Sequence, residues 1–375
     1  MTLPVVYLSG DAHAQGVLHG RALRERIAHN LDVYFERFAR EVGLPKPEVL
    51  AWSRRYADAI EGQNADYFAA MQGVADGSGF AFDEIVALNV RYEILYYQFG
   101  KNALAQAEPD GCTAFAVLPQ ASANGHLLIG QNWDWIPDVQ GAVLHTTDPE
   151  TGHETLGFTE AGIVGAKIGL SSAGVGLCIN GMTTTKDDWS RLSKPVHVRC
   201  HEILRAPDLD AAVRVITDEP RACSTNFLLA GNNPPRAVDV EAAPDAARLL
   251  PPEPNGCLVH TNHFVDPDAA GVTETPNARR IFSCHRRDRL SALLAAKRPI
   301  AVADIENHLR DHQDYPFGVC RHENPDEPPA QHYITVTSVI MDLDDKTLRL
   351  TDGLPCQSAF QTVALAANTG NAVKP

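Results

Sequence analysis

No cysteine occurs in the first 111 residues, and only 4 of the 25 prolines do, although the same stretch holds 14 of the 26 aromatic residues. Few prolines leave room for long helices, because an interior proline removes a hydrogen bond and clashes with the preceding turn. Positive charge is also scarce: 32 Lys and Arg stand against 47 Asp and Glu, a net charge of −15. A chain this acidic has no broad cationic surface to neutralise phosphates, which argues against a nucleic-acid partner. No apolar run approaches the ~20 residues that a membrane-spanning helix needs. The first 21 residues lack the basic segment, apolar stretch and small-residue site of a secretory signal. The eight cysteines all fall within 112–375 and form no CxxC pair. They read as reduced thiols of a cytoplasmic protein.

Familiar catalytic motifs are missing too. There is no phosphate-binding Gly-x-x-x-x-Gly-Lys-Ser/Thr, no His-Glu-x-x-His and no Gly-x-Ser-x-Gly. His260 and His263 are the nearest approach to a metal pair, but on a strand that spacing sends them to opposite faces. No metal or cofactor is expected.

Periodicity divides the chain at Asp110-Gly111-Cys112. Before it, apolar residues at helical spacing (Leu23, Ile27, Leu31, Phe38) predict a helix from Gly16 onward, with further helices at Pro47–Gln63, Asp66–Ala75 and Phe82–Phe99. After it come short strands with turn punctuation: Thr113–Leu118, His126–Trp133, Gly141–Thr147, Thr155–Thr159, Ile163–Leu170 and Val175–Asn180. Helices at Val196–Leu204 and Leu209–Thr217, strands at Thr225–Ala230 and Arg236–Glu241, then helices at Asn277–Lys297 and Ile300–Asp311 follow. Tyr333–Leu343 and Thr347–Thr351 close the chain as β structure. The pattern is layered α+β with antiparallel sheet.

The junction carries chemistry. The Cys112 thiol is placed to attack the Gly111 carbonyl and shift the acyl group from nitrogen to sulfur; glycine leaves that carbonyl open. Water would then hydrolyse the thioester and free the Cys112 α-amine. With an ordinary pKa of about 7.7–8, that amine serves as base for the thiol beside it. A buried cysteine at a strand start is the plain alternative. Thr2, exposed if Met1 is removed, is a formal rival nucleophile without supporting neighbours.

Seven segments in order give the junction a context. They are Gly16-Val17-Leu18-His19-Gly20, Asp110-Gly111-Cys112-Thr113, Gly130-Gln131-Asn132-Trp133-Asp134, Thr159-Glu160-Ala161-Gly162-Ile163, Ser172-Ala173-Gly174-Val175-Gly176, His260-Thr261-Asn262-His263 and Tyr315-Pro316-Phe317-Gly318-Val319-Cys320-Arg321. Together they resemble the acyl-CoA:6-aminopenicillanate (isopenicillin N) acyltransferase family of the N-terminal-nucleophile hydrolase superfamily. The resemblance implies a four-layer αββα sandwich, two stacked antiparallel sheets flanked by helices. It also implies one folded domain cut into a mainly helical chain (1–111) and a catalytic chain (112–375) that stay associated. It assigns Cys112 as nucleophile, Asn262 as oxyanion donor, Asp134 as an acidic neighbour that orients the amine or assists self-cleavage, and Arg321 as a site arginine. Asn262, Asp134 and Arg321 each also admit a purely structural reading. Glu160 and Glu241 fall in matching surroundings without an evident mechanism.

The segments Gln120–Gly125 and Ile136–Gln140 depart from the family pattern, so its penicillin substrate is not carried over. The expected reaction is hydrolysis of a small N-acyl amine or acyl-peptide through a thioester. The alternatives are acyl transfer between acyl-CoA or an amide and an amine acceptor, and a non-catalytic or metal-binding protein that keeps the fold.

Overall fold

The structure, a computed structural model, describes residues 2–101 and 111–365; Asp110 of the matching junction segment lies outside the described residues. After strand β1 (Val5–Leu8), six helices follow: α1 (Ala12–Ala22), α2 (Arg24–Val42), α3 (Lys46–Gln63), α4 (Ala65–Ser78), α5 (Phe82–Asn89) and α6 (Arg91–Lys101). In α2, Ile27, Leu31, Tyr34, Phe38 and Val42 form the buried stripe, the 3.6-residue period that marks an amphipathic helix. Two stretches that read as single helices are each divided, at Leu23 and at Val90. Asp11 accepts from the Ala14 amide at 2.8 Å and fixes the start of α1.

Helices α1 and α4 touch backbone to backbone. A Cβ added to Gly16 would lie 2.1 Å from the Ala70 carbonyl oxygen, and one added to Gly73 2.1 Å from that of His13. Only glycine permits this approach. The Gly16-to-Gly20 segment is thus a helix-packing surface. Its His19 is buried, and Nε2 accepts from the Gly162 amide at 3.1 Å. Burial holds the His19 pKa down at about 4, so the ring stays neutral and able to accept.

The next strands are β2 (Thr113–Val117), β3 (Leu128–Trp135), β4 (Gly141–Thr147), β5 (Glu154–Glu160), β6 (Ile168–Ser171) and β7 (Val175–Gly181). Helices α7 (Val196–Arg205) and α8 (Leu209–Thr217) precede β8 (Thr225–Asn232), β9 (Pro235–Ala242), β10 (Ala247–Leu250) and β11 (Cys257–His260). The short α9 (Pro267–Ala270), α10 (Arg280–Ala296) and α11 (Val302–His308) lead to β12 (Ile334–Asp342), β13 (Thr347–Leu350) and β14 (Gln361–Ala364). They build two sheets, of order β1-β4-β5-β6-β7-β8-β9-β10 and β11-β2-β3-β12-β13-β14. Every pairing is antiparallel except β1 with β4.

The sheets face each other through β2 and β3 on one side and β7 and β8 on the other. Helices α7 and α8 cover the outside of the larger sheet, and α10 that of the smaller. This is the αββα order. All eight residues of β3 are buried, because it lies between sheet neighbours and between layers. Alternation turns Gln131 and Trp133 to one face and Asn132 and Asp134 to the other. Gln131 bridges the sheets: its Nε2 donates to the Ile179 carbonyl at 3.0 Å and its Oε1 accepts from the Ile179 amide at 2.9 Å. It satisfies a stretch of β7 that runs past the end of β6.

Polar side chains of the front helices clasp strand ends. Asn30 Nδ2 donates to the Gln140 and Ala161 carbonyls at 2.9 and 3.0 Å, and Asn89 Nδ2 to that of Gly162 at 2.9 Å. One apolar cluster runs through both parts of the chain, from Leu23 and Phe38 to Leu177 and Leu348. No described helix is long and apolar enough to cross a membrane.

Candidate active site

Strand register brings four of the candidate residues together. β2 pairs with β11 so that Ala114 faces His260; continued two residues, Cys112 meets Asn262. β2 also pairs with β3 so that Thr113 faces Asn132, which puts Gly111 beside Asp134. Side chains complete the match. Asn262 Oδ1 accepts from the Cys112 amide at 2.7 Å and from the Gly111 amide at 3.1 Å. Its Nδ2 donates to the Gly181 carbonyl at 3.1 Å, so the amide presents its oxygen, not its NH₂, to Cys112.

Asn262 is itself held by α10. Its amide donates to Ser283 Oγ at 2.8 Å, and Arg286 Nη2 donates to its Oδ1 at 3.0 Å. Ser283 and Arg286 stand three apart on one helix face. Neither was visible as a site residue in the sequence, since only the packing of α10 on β11 brings them here.

Gly111 is confined. A Cβ there would lie 2.6 Å from Asp134 Cβ and 3.2 Å from Arg321 Nη1. Its φ lies outside the left-handed range, so glycine is needed for room and not for an unusual backbone angle. Asp134 Oδ1 accepts from Thr335 Oγ1 at 2.7 Å, its place fixed by the pairing of Thr335 with Asp134 between β12 and β3. The Arg321 amide also donates to Thr335 Oγ1, at 2.9 Å, and its guanidinium is buried between the Phe317 and Tyr333 rings, 5.4 Å from each centroid. Cys112, Gly111, Asn262, Asp134 and Arg321 therefore share one place.

Cys112 is only 6% exposed. Burial, reinforced by the Asp134 charge, pushes its pKa up to about 12; Lys167 and Arg286 act the other way. The thiol is thus protonated, a weak nucleophile until a base takes its proton.

Lys167 belongs to a buried charge group that the sequence did not reveal. Glu160 accepts from Arg91, Lys167 and Tyr34, and the Lys167 ammonium sits 3.1 Å from the centroid of the Trp133 ring. Burial pushes Glu160 up, but Arg91 and Lys167 outweigh it and hold the pKa at about 2. Burial also pushes Lys167 down, against the attraction of Glu160, to about 7. Arg91 and Tyr34 come from α6 and α2, so the helical front is more than a flank: it reaches the interior, to a charge group that acts on Cys112.

The remaining candidates lie away from the site or, like His263, only border it. Thr2 is exposed ahead of the edge strand β1. The prediction that His260 and His263 face apart fails, because β11 ends at His260 and the chain turns; the rings stack 6.3 Å apart. Each nevertheless has its own partners. His260 Nε2 contacts Glu241 Oε1 at 3.0 Å, and His263 Nδ1 contacts Ser283 Oγ at 2.8 Å. Glu241 also accepts from the Val265 amide at 2.6 Å. Of the two divergent segments, Ile136, Pro137 and Asp138 line a cleft of about 250 Å³ with Arg37, Arg40 and His332. In the other, the Ala123 amide is tied to the Ile300 carbonyl at 2.8 Å.

Residues 121–355 match the family of acyl-coenzyme A:6-aminopenicillanic acid acyl-transferase. The 40 kDa form of acyl-coenzyme A:6-aminopenicillanic-acid-acyltransferase from Emericella nidulans is 27% identical over 326 residues, covering 84% of each chain. Among solved structures, the R18L variant of conjugated bile acid hydrolase from Clostridium perfringens aligns over 69% of this chain and 100% of its own, with 12% identity and a TM-score of 0.47. The N-acylethanolamine-hydrolyzing acid amidase orthologue of Caenorhabditis elegans aligns over 68% and 100%, with 17% identity and a TM-score of 0.42. The matched stretch holds Asp134, Asn262 and Arg321 and covers more than half of the chain. This chain belongs to the acyl-coenzyme A:6-aminopenicillanic acid acyl-transferase family.

Proposed function

We propose that the chain cuts itself between Gly111 and Cys112 and then hydrolyses the amide bond of a small N-acyl amine or acyl-peptide. The observation that carries this reading is the 2.7 Å hydrogen bond from the Cys112 nitrogen to Asn262 Oδ1. Cutting turns that amide into an α-amine, and an acceptor oxygen is already in place to hold it beside the thiol.

In the first step Cys112 Sγ bonds to the Gly111 carbonyl carbon and the C–N bond breaks. The nitrogen takes up the proton that the thiol loses. Water then splits the thioester, leaving a Gly111 carboxylate and a free thiol. Asp134 orients the new ammonium, and Arg321 holds the segment or a substrate carboxylate. In turnover the α-amine takes the thiol proton, sulfur attacks the substrate carbonyl, and the amine product leaves with that proton; water then splits the acyl-thioester, releasing the acid and restoring the thiol. Donation by Asn262 to the tetrahedral oxyanion requires its NH₂ to leave the Gly181 carbonyl. The cut makes residues 1–111 and 112–375 two associated chains of one domain. Eight free cysteines suit a reducing cytoplasm.

Gly111→Ala tests the first step. The added methyl forces the scissile carbonyl away from the thiol, and a misplacement of ~1 Å costs about 10²-fold. Gel analysis of freshly expressed protein should show the uncut chain persisting, its processing slowed by that order. Cutting at the normal rate would remove Gly111 from the mechanism.

The second reading, acyl transfer, differs only in what reaches the thioester. Family membership favours keeping it, with acyl-CoA as a donor. Measuring products of an N-acyl amine substrate with and without a second amine separates the two. Hydrolysis is expected to dominate; a new amide as main product would establish transfer.

A further inference from the structure

Away from the nucleophile, His312, Cys320, His322 and Cys356 converge with one donor atom each, all within 4.8 Å of one another. Three come from the loop after α11, and Cys356 comes from the turn after β13. His322 Nε2 is 3.6 Å from Cys320 Sγ, 3.5 Å from Cys356 Sγ and 3.1 Å from His312 Nε2. A single imidazole nitrogen has either one proton or one lone pair, so hydrogen bonding cannot serve three such neighbours at once. A cation at their centre can.

The dimensions identify the cation. Zinc binds thiolate at about 2.3 Å and imidazole at about 2.0–2.1 Å in a tetrahedron, which sets S···N at about 3.5 Å and N···N at about 3.3 Å. The observed separations of 3.6, 3.5 and 3.1 Å fall at these values. We propose that His312, Cys320, His322 and Cys356 bind one zinc ion as a closed Cys₂His₂ structural site. Binding converts both thiols to thiolates and releases two protons, while the imidazoles coordinate as neutral rings. With four protein ligands no position stays open for water, so the ion holds structure and does no chemistry.

What it holds is the loop of Arg321, which stands between two of the ligands. The same loop is pinned by the Cys320 amide to the Asp311 carbonyl at 3.0 Å, and Arg289 of α10 contacts the Asp311 carboxylate at 2.9 and 2.5 Å. Zinc would add a tie from this loop to the turn after β13. The proposal replaces the expectation of a metal-free chain. Its ligands are 8, 2 and 34 residues apart, so no regular spacing announces them.

The test is zinc content, independent of activity. Reduced protein, equilibrated with zinc and desalted through a weak chelator, should retain about one zinc per chain by elemental analysis. Cys112→Ala should keep it, whereas Cys356→Ser and His312→Ala should each weaken retention by at least about tenfold. His312 is exposed, so its variant tests the ligand without emptying a core position. Cobalt in place of zinc should give tetrahedral ligand-field bands with thiolate charge transfer. Three results would overturn the proposal: no retained zinc, zinc retained equally by both ligand variants, or a Cys320–Cys356 disulfide in the active protein.

Discussion

Replacing Cys112 by alanine leaves one uncut chain of 375 residues and lowers amidase kcat/KM by at least about 10⁴-fold. The expectation is this large because one thiol carries both events. In the proposed mechanism it is the nucleophile that severs the Gly111–Cys112 bond, and without the cut no α-amine exists to act as base. Burial and the Asp134 charge hold the thiol pKa far above neutral before any cut, so the thiol depends on an adjacent base. Folding should survive, since cysteine to alanine removes one small buried atom and costs about 1–2 kcal/mol. Intact mass should show wild-type protein as 1–111 and 112–375, with the variant whole and its circular dichroism unchanged. Wild-type protein that stays whole, or a variant that hydrolyses amides at the normal rate, would sink the mechanism.

The elements legible in the sequence are those whose own residues decide them. The buried stripe of α2 follows from spacing, and β2 and β4 follow from short apolar runs between turns. The breaks at Leu23 and Val90 carry no glycine or proline, and packing of the helical front decides them. Ile163–Leu170 reads as one strand, yet Gly162 and Gly165 take positive φ, and the strand begins only at Ile168. Strand β11 has four residues and a partner more than a hundred positions away, so no local pattern marks it.

The same distinction governs the site. Gly111 and Cys112 can be found from their own chemistry. Asn262 and Asp134 needed the family resemblance, because what puts them beside the junction is the register of β2 against β11 and β3. Lys167, Arg91, Ser283 and Arg286 were missed, since in sequence they are ordinary polar residues on ordinary elements. The signal that could have found Lys167 and Arg91 is Glu160: a carboxylate inside a matched apolar segment must be paired if it is buried.

Glu160→Gln should be the most damaging change outside the junction, lowering stability by about 3–5 kcal/mol. Wild type balances one anion against Arg91 and Lys167; the amide leaves two buried cations facing a neutral group. Lys167 can shed its proton, but Arg91 cannot. The pH dependence has a definite sign. The Glu160 pKa falls from 4.5 to about 2 on folding, so its contribution is full above pH 4.5, is lost as pH drops toward 2, and amounts to about 3 kcal/mol. The gap between wild type and Glu160→Gln should therefore narrow across that window. The depressed Lys167 pKa means the unfolded chain binds more protons between pH 7 and 10.5, so stability from this group rises with pH there. Lys167→Met is the contrast. It leaves Arg91 and Glu160 matched one to one and places a flexible apolar side chain under Trp133, so it should cost only about 1–2 kcal/mol. It also withdraws the positive charge that opposes the rise in the Cys112 pKa, so turnover should fall more than stability does. Thermal melts of both variants from pH 2 to 10 decide the matter: a Lys167→Met loss equal to or larger than that of Glu160→Gln would mean that packing, not charge balance, sets the worth of this group.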